Sequence, residues 1–215
     1  MTEWFKGVRT KRLKNKRTST VLMLIGLLLL AAALFFALYN IYDAKRAEEE
    51  SAIVLPVLKS EIERAGEKEV FVNDSVDSVF ADLNKAMTFI EIDGDRYVGI
   101  LEIPSIDLTL PIMGEWSYNR LRTAPCLYTG SVYQDNMVIA GHNYARHFSP
   151  IKNLPEGTIV LFTDGENRIF EYEIAWVEVL DGTQVKDMVT GEWDMTLFTC
   201  TYGGKARYAV RCLRK

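Results

Sequence analysis

The sequence predicts a mainly β domain, a small barrel or sandwich of about eight short strands with minor helices, carried behind one transmembrane helix and a helical stalk. Three observations predict it. A run of 19 residues carries no charge, the segment after it is rich in Ala, Glu and Lys, and from Met87 onward short apolar runs are separated by turn residues. The chain has 215 residues, enough for one ordinary domain and an appendage. Its 48% hydrophobic and 25% charged residues exclude a wholly disordered chain and a polytopic membrane protein.

Charge is unevenly placed. Residues 1–20 hold seven Lys or Arg against one acid, a balance of +6, and the remainder holds 18 against 28, a balance of −10. A basic tail alone suits nucleic acid, but VLMLIGLLLLAAALFFALY follows it, from Val21 to Tyr39. That run is long enough to cross a hydrocarbon core of roughly 30 Å as a helix. Lys6, Arg9, Lys11, Arg12, Lys14, Lys16 and Arg17 precede it and Glu48, Glu49 and Glu50 follow it. By the positive-inside rule residues 1–20 are a cytoplasmic basic tail, 21–41 a signal-anchor helix, and everything later lies outside the cell. A cleaved signal peptide is the competing reading; the run is long for one, and Ala31–Ala33 lie inside it rather than after it. The one-sided charge flank disfavours a buried core helix.

Residues 42–86 read as a helical stalk or linker, its first helix either a stalk or lying against the domain. Ile53, Leu55, Leu58 and Ile62 fall roughly on one helical face, Pro56 is expected to break or bend the helix, and Val76–Ala86 suits a second short helix. Residues 87–215 form the β domain. TFIEI and RYVGILEIP flank a hairpin turn at Asp93-Gly94-Asp95, and LTLPIM and NMVIAGH follow. GTIVLFTD and RIFEYEIAWVEVL flank a second turn at Gly165-Glu166-Asn167. Phe170, Tyr172, Ile174 and Trp176 alternate with Glu171 and Glu173, as on a half-buried sheet. WDMTLFTC and ARYAVRCL close the chain around a turn at Gly203-Gly204, and Phe148–Leu154 suits one or two helical turns.

Candidate chemistry is sparse. Three cysteines, Cys126, Cys200 and Cys212, cannot all pair within the chain, so at least one thiol is free on the oxidising side of the membrane. Both histidines, His142 and His147, lie in AGHNYARHF. Nucleophilic catalysis by cysteine needs a nearby imidazole and donors for an oxyanion. Cys200 and His142 each end a strand, where one barrel rim could bring them together. Alternation puts Arg207, Ala209 and Arg211 on one face of the last strand and Tyr208, Val210 and Cys212 on the other. The bland alternative for each His or Cys is a satisfied structural residue. There is no CxxC pair, no HxxxH and no glycine-rich phosphate loop, so no metal or other cofactor is expected.

Thr196-Leu197-Phe198-Thr199-Cys200 resembles the TLxTC signature of the sortases, cysteine transpeptidases of the Gram-positive cell surface. The family order, His then Cys then Arg, is met by His142, Cys200 and Arg207. GILEIPSIDLTLPI, VIAGHN followed by FSPIKNL, and RYAVR are also sortase-like, so the resemblance spans Met87 to Leu213. It implies a closed eight-stranded β-barrel with a groove at one end as the catalytic domain. The short stretch after Arg207, with no second span, argues against the pilin-polymerising class and leaves a class B or class D type open.

The resemblance implies acyl transfer. Cys200 would attack the carbonyl after the Thr of an LPxTG-like sorting signal on a surface protein. His142 would protonate the leaving amine, and an amino group of a peptidoglycan precursor or another amine would resolve the thioester. Arg207 would bind substrate backbone or the oxyanion, preferred over Arg211 because the family places its arginine at the start of this strand. Thr199 would help shape the substrate pocket. His147 has no family counterpart and reads as a surface or groove-rim residue. Asn143 stands where many sortases carry Arg. Cys126 reads as a small buried residue, with a disulfide to Cys212 as the alternative. The partners implied are sorting-signal proteins, the amine and the membrane, with no nucleic acid. A papain-like order of Cys before His is absent, as is the Ser-x-Gly-Cys of L,D-transpeptidases. A non-catalytic binding barrel and a purely hydrolytic cysteine peptidase are the alternatives.

Overall fold

The computed structural model describes residues 2–69 and 85–215. They form helix α1 (Thr2–Glu69), nine strands and two short helices, α2 (Tyr118–Leu121) and α3 (Val185–Val189). Met1–Asp43 and Ala44–Lys215 are separate compact units. In the first, the apolar side chains from Val21 to Tyr39 are exposed on every side of the helix. Among the described residues this is the one helix long and apolar enough to cross a membrane.

From Ala44 onward α1 is amphipathic. Ala47, Ser51, Leu58 and Ile62 are buried, and Val54 is partly so. Steps of three and four residues make the single stripe that a 3.6-residue helix turns towards one neighbour. Ile53 lies off this stripe and is 70% exposed, contrary to the face assigned from sequence. Pro56 sits inside the helix without breaking it, because the buried turns on either side hold the chain through the missing amide bond. The second helix expected over Val76–Ala86 lies outside the described residues except for Lys85 and Ala86, which are not helical.

The strands are β1 (Ile90–Ile92), β2 (Asp95–Ile103), β3 (Leu108–Met113), β4 (Cys126–Thr129), β5 (Met137–Ala140), β6 (Ile159–Asp164), β7 (Ile169–Asp181), β8 (Met195–Cys200) and β9 (Ala206–Arg214). Their order is β1-β2-β3-β4-β5-β8-β9-β7-β6, and β6 returns to pair with β2. Strands β2 to β9 therefore close a barrel of eight, as a closed barrel leaves no edge to protect. β1 stands outside the ring as a short hairpin arm on β2. Its turn holds Asp93 and Gly94 at φ of 52° and 84°, the left-handed pair of a type I′ hairpin. At the β6–β7 turn the buried Asp164 carboxylate accepts the backbone N–H groups of Glu166 and Arg168 at 2.8 and 2.9 Å.

Two details depart from the sequence pattern. β4 is a barrel strand that alternation does not reveal; its four residues hold β3 by one parallel pair and β5 by three antiparallel pairs. In β7 the register against β9 shifts between Ile174 and Trp176. That bulge reverses the phase, so Phe170, Tyr172 and Ile174 are buried but Trp176 is 52% exposed.

The barrel interior holds the largest cluster, including Leu101, Ile139, Phe162, Leu197 and Val210. A second cluster joins Leu58 and Ile62 of α1 to Tyr97, Ile100, Met113 and Cys126 on the outside of the barrel. A third, smaller one packs Met188 of α3 against Val138, Leu180 and Ala209.

Candidate active site

Three adjacent strands carry the residues that matter. β5 runs parallel to β8, with Ala140 beside Phe198. The Gly141 N–H continues the ladder by donating to the Phe198 carbonyl at 2.9 Å. Two residues further on are His142, past the end of β5, and Cys200, the last residue of β8. On the other side of β8, the antiparallel register pairs Cys200 directly with Arg207. Cys200 and Arg207 are thus direct neighbours across β8 and β9, and His142 follows β5 at the same end of the barrel, in the loop after Gly141.

Two glycine-dependent features build this end. A Cβ on Gly141 would stand 2.2 Å from the Phe148 ring, so only glycine lets β5 pass into the histidine loop over that core phenylalanine. Gly203 and Gly204 both have positive φ, 85° and 72°, and turn the chain from Cys200 back to Arg207.

Cys200 is partly exposed, as strand-end placement requires, and all three cysteines are free thiols. It shares a strand face with Phe198, while Leu197 faces the barrel interior. A groove of about 190 Å³ opens beside it, with Arg207, Phe198, Tyr128, Trp116, Val185 and Met188 among its lining residues. The aromatic rings run edge to face, Trp116 to Tyr128 at 5.5 Å and Tyr128 to Phe198 at 5.3 Å. The Arg207 guanidinium is kept at the groove by the carbonyls of Gly204 and Ala206, which accept from Nη1 at 2.8 and 2.9 Å. Arg211, on the same strand face, is instead 2% exposed and lies outside this lining. Thr199 borders the groove, but it is buried, it alternates with Cys200, and its Oγ1 has no hydrogen-bond partner among the described residues.

The histidine loop is folded on itself. The His142 carbonyl accepts from Phe148 N–H at 3.1 Å, and the His142 ring stacks on Tyr144 with centroids 3.7 Å apart and planes 18° from parallel. His147 is not a rim residue. It is fully buried beside the Tyr144 ring, with centroids 5.6 Å apart. Neither of its nitrogens makes a well-formed hydrogen bond among the described residues. Burial first, and then the charge of His142, push its pKa down to about 4, opposed weakly by the Ala47 backbone and Glu48. The difference from the sequence expectation arises because the Ala47 turn of α1 covers this loop, and Arg146 Nε donates to Glu48 there at 3.0 Å. Cys126 and Cys212 are buried in different clusters, Cys126 under α1 and Cys212 in the barrel interior. Burial pushes each thiol up to about 12.

The groove walls were not singled out from sequence. Trp116 and Tyr118 sit in GEWSYNRL, which has no strand alternation to explain two aromatics, and that is the signal that marks them. Val185 and Met188 lie on a five-residue helix too short for periodicity to register.

A family model for the sortase domain matches residues 101–215. The chain belongs to the sortase family. Sortase A of Bacillus anthracis is 32% identical over 117 residues, covering 51% of this chain and 54% of that protein. The chain thus spans about half the length of the curated relative it matches. Sortase C of Clostridium perfringens, solved with the C-terminal cell wall sorting motif, is 23% identical with a TM-score of 0.52, covering 73% of this chain and 98% of that one. Sortase A of Corynebacterium diphtheriae is 19% identical with a TM-score of 0.51, covering 81% and 92%. These two structures share the sortase barrel with this chain.

Proposed function

We propose that this sortase is a membrane-anchored cysteine transpeptidase that cleaves an LPxTG-like sorting signal and transfers the protein to an amino group of the cell wall or a precursor. The observation that supports the reading most is the pairing of Cys200 with Arg207 on β8 and β9, both lining an apolar groove, with His142 following the end of the neighbouring strand β5. The sorting motif that accompanies the Clostridium perfringens sortase C structure supports the substrate class.

In this mechanism the Cys200 thiolate attacks the carbonyl carbon of the signal's Thr, and the carbonyl electrons move onto oxygen. Arg207 donates hydrogen bonds to that oxyanion or to the flanking backbone. The tetrahedral species collapses, the C–N bond breaks, and the His142 imidazolium gives its proton to the leaving amine. An incoming amine then attacks the thioester, His142 takes its proton, and the C–S bond breaks to restore the thiolate. One acid and one base in the same pair give a bell-shaped pH–rate profile. The apolar stretch Val21–Tyr39 anchors the chain with residues 1–20 in the cytoplasm and the barrel outside.

The test uses the full-length chain in detergent micelles, a panel of LPxTG-like peptides and an amine acceptor. Cleavage is expected to require Cys200, to be unaffected by a chelator, and to move from hydrolysis to ligation as amine is added. Cys200→Ala should abolish it, and Arg207→Ala should lower kcat/KM by about 10²–10³, the usual cost of losing an oxyanion donor. Undiminished turnover by Cys200→Ala would refute the enzyme. Hydrolysis that never partitions to amine would make it a peptidase only.

A further inference from the structure

Arg211 is the largest fully buried side chain among the described residues, and nothing in the acyl-transfer scheme uses it. Its bonds point in one direction. Nε donates to Glu178 Oε1 at 2.8 Å and Nη1 to Thr196 Oγ1 at 3.0 Å. Nη1 also donates to the Met188 carbonyl at 3.1 Å, and Nη2 to the Asp187 carbonyl at 2.7 Å. The first two acceptors are on the neighbouring strands β7 and β8, and the last two are on α3.

Helix α3 needs such help. It has five residues, no side-chain cap at its N-terminus, and carbonyls at its C-terminal turn that a helix this short leaves without internal partners. A guanidinium under those carbonyls supplies both the missing donors and a positive charge where the helix end is negative. Burying that charge is costly unless it is paired and bonded, and Glu178 and the four hydrogen bonds meet the condition. What α3 presents on its other side is the groove: Val185 and Met188 line it, and Met188 packs on Ala209 and beside Phe198, two residues from Cys200.

We infer that Arg211 is a positioning residue for substrate specificity: it pins α3 to β7–β9 and so fixes the apolar wall against which the sorting signal is held beside Cys200. The inference rests on the proposed function for its substrate, and on geometry alone for its action on α3. Arg207 and Arg211, on one face of β9, thereby divide the work. Arg207 meets the reacting group, and Arg211, one helical layer away, shapes the slot that delivers it.

The test compares full-length wild type with Arg211→Met, which keeps volume and loses every donor, and with Arg211→Lys, which keeps the charge and fewer donors. Three readouts are taken: amide hydrogen exchange, alkylation of Cys200 by iodoacetamide, and peptide kinetics. Arg211→Met should speed exchange over residues 184–190 at least about ten-fold, with β8 and β9 little changed. It should raise KM for the peptide about ten-fold, and leave kcat and the alkylation rate within about two-fold. Arg211→Lys should fall between and serves if the Met variant does not fold. Unchanged exchange in α3 would overturn the inference whether or not any peptide is cleaved. A fall in kcat and in alkylation with KM unmoved would also overturn it, by placing Arg211 in the chemistry. If wild type turns over no peptide, the proposed function fails, and exchange still decides whether Arg211 holds α3.

Discussion

The two stretches of α1 are both apolar-rich and both helical, yet they do opposite things with their side chains. Between Val21 and Tyr39 apolar residues occupy every side of the helix and all are exposed. Between Ala44 and Glu67 they are fewer, and although Ile53 and Val57 are exposed, Ala47, Leu58 and Ile62 fall on one stripe that is buried in the barrel unit. A helix with no polar side has no preferred protein face and suits a uniform apolar solvent. A helix with one narrow stripe suits a single protein neighbour. The consequence is that, of the two roles the sequence allows this segment, a stalk or a helix lying against the domain, it takes the second from Ala44 onward, covering the histidine loop at Ala47 and Glu48.

The largest effect that would break this contrast is on partitioning. A chain lacking residues 1–43 should move from the carbonate-washed membrane pellet entirely to the soluble fraction. Retention of the shortened chain in the pellet would show that the barrel unit binds membrane itself, and that the apolar stretch is not the sole anchor.

Stability comes next. Leu58→Ala removes a fully buried side chain from the α1–barrel cluster and should cost about 2–5 kcal/mol. Ile53→Ala, five residues earlier on the exposed side, should change stability by no more than about 0.5 kcal/mol. Urea titration of the two variants gives both numbers. Equal losses at the two positions would mean that the stripe is not where the structure puts it.

The pattern of what the sequence displayed follows from the range of each signal. Hairpin turns are local chemistry, so Asp93-Gly94 and Gly203-Gly204 were legible, and with them most strands of the barrel. The TLFTC run and the His, Cys, Arg order marked the candidate site before any register was known. What escaped depends on contacts between distant segments. β4 is a strand because β3 and β5 lie on either side of it, not because CLYT alternates. Trp176 faces outward because of a bulge one residue before it, and alternation counted through a bulge gives the wrong face. Arg207 and Arg211 have the same parity on β9, so only the presence of α3 above one of them separates a groove residue from a buried pin. His147 reads as a polar loop residue until the Ala47 turn of α1, a hundred residues earlier, is laid over it.

That covered histidine gives the finest probe of the α1 contact. His147 has its pKa pushed down to about 4 by burial and by His142, from an ordinary value of 6.5. Above pH 6.5 the ring is neutral in both the folded and unfolded chains, and it contributes no pH dependence. As the pH falls from 6.5 towards 4 the unfolded chain takes up a proton that the folded chain refuses, so stability is lost across that window. Between pH 6.5 and pH 5 the loss attributable to this group is about 1.5 kcal/mol, since the full slope of 1.36 kcal/mol for each unit of pH is reached only once the unfolded ring is mostly protonated. His147→Leu removes the titrating ring and keeps an apolar filling. Its stability by urea unfolding should therefore fall less than that of wild type over the same interval, by about that amount. Glu48 on α1 and His142 in the same loop remain in both proteins, so the difference reports His147 together with its coupling to His142. Parallel pH profiles for the two would mean that His147 is hydrated in solution, and that the Ala47 turn of α1 does not seal the loop beneath it.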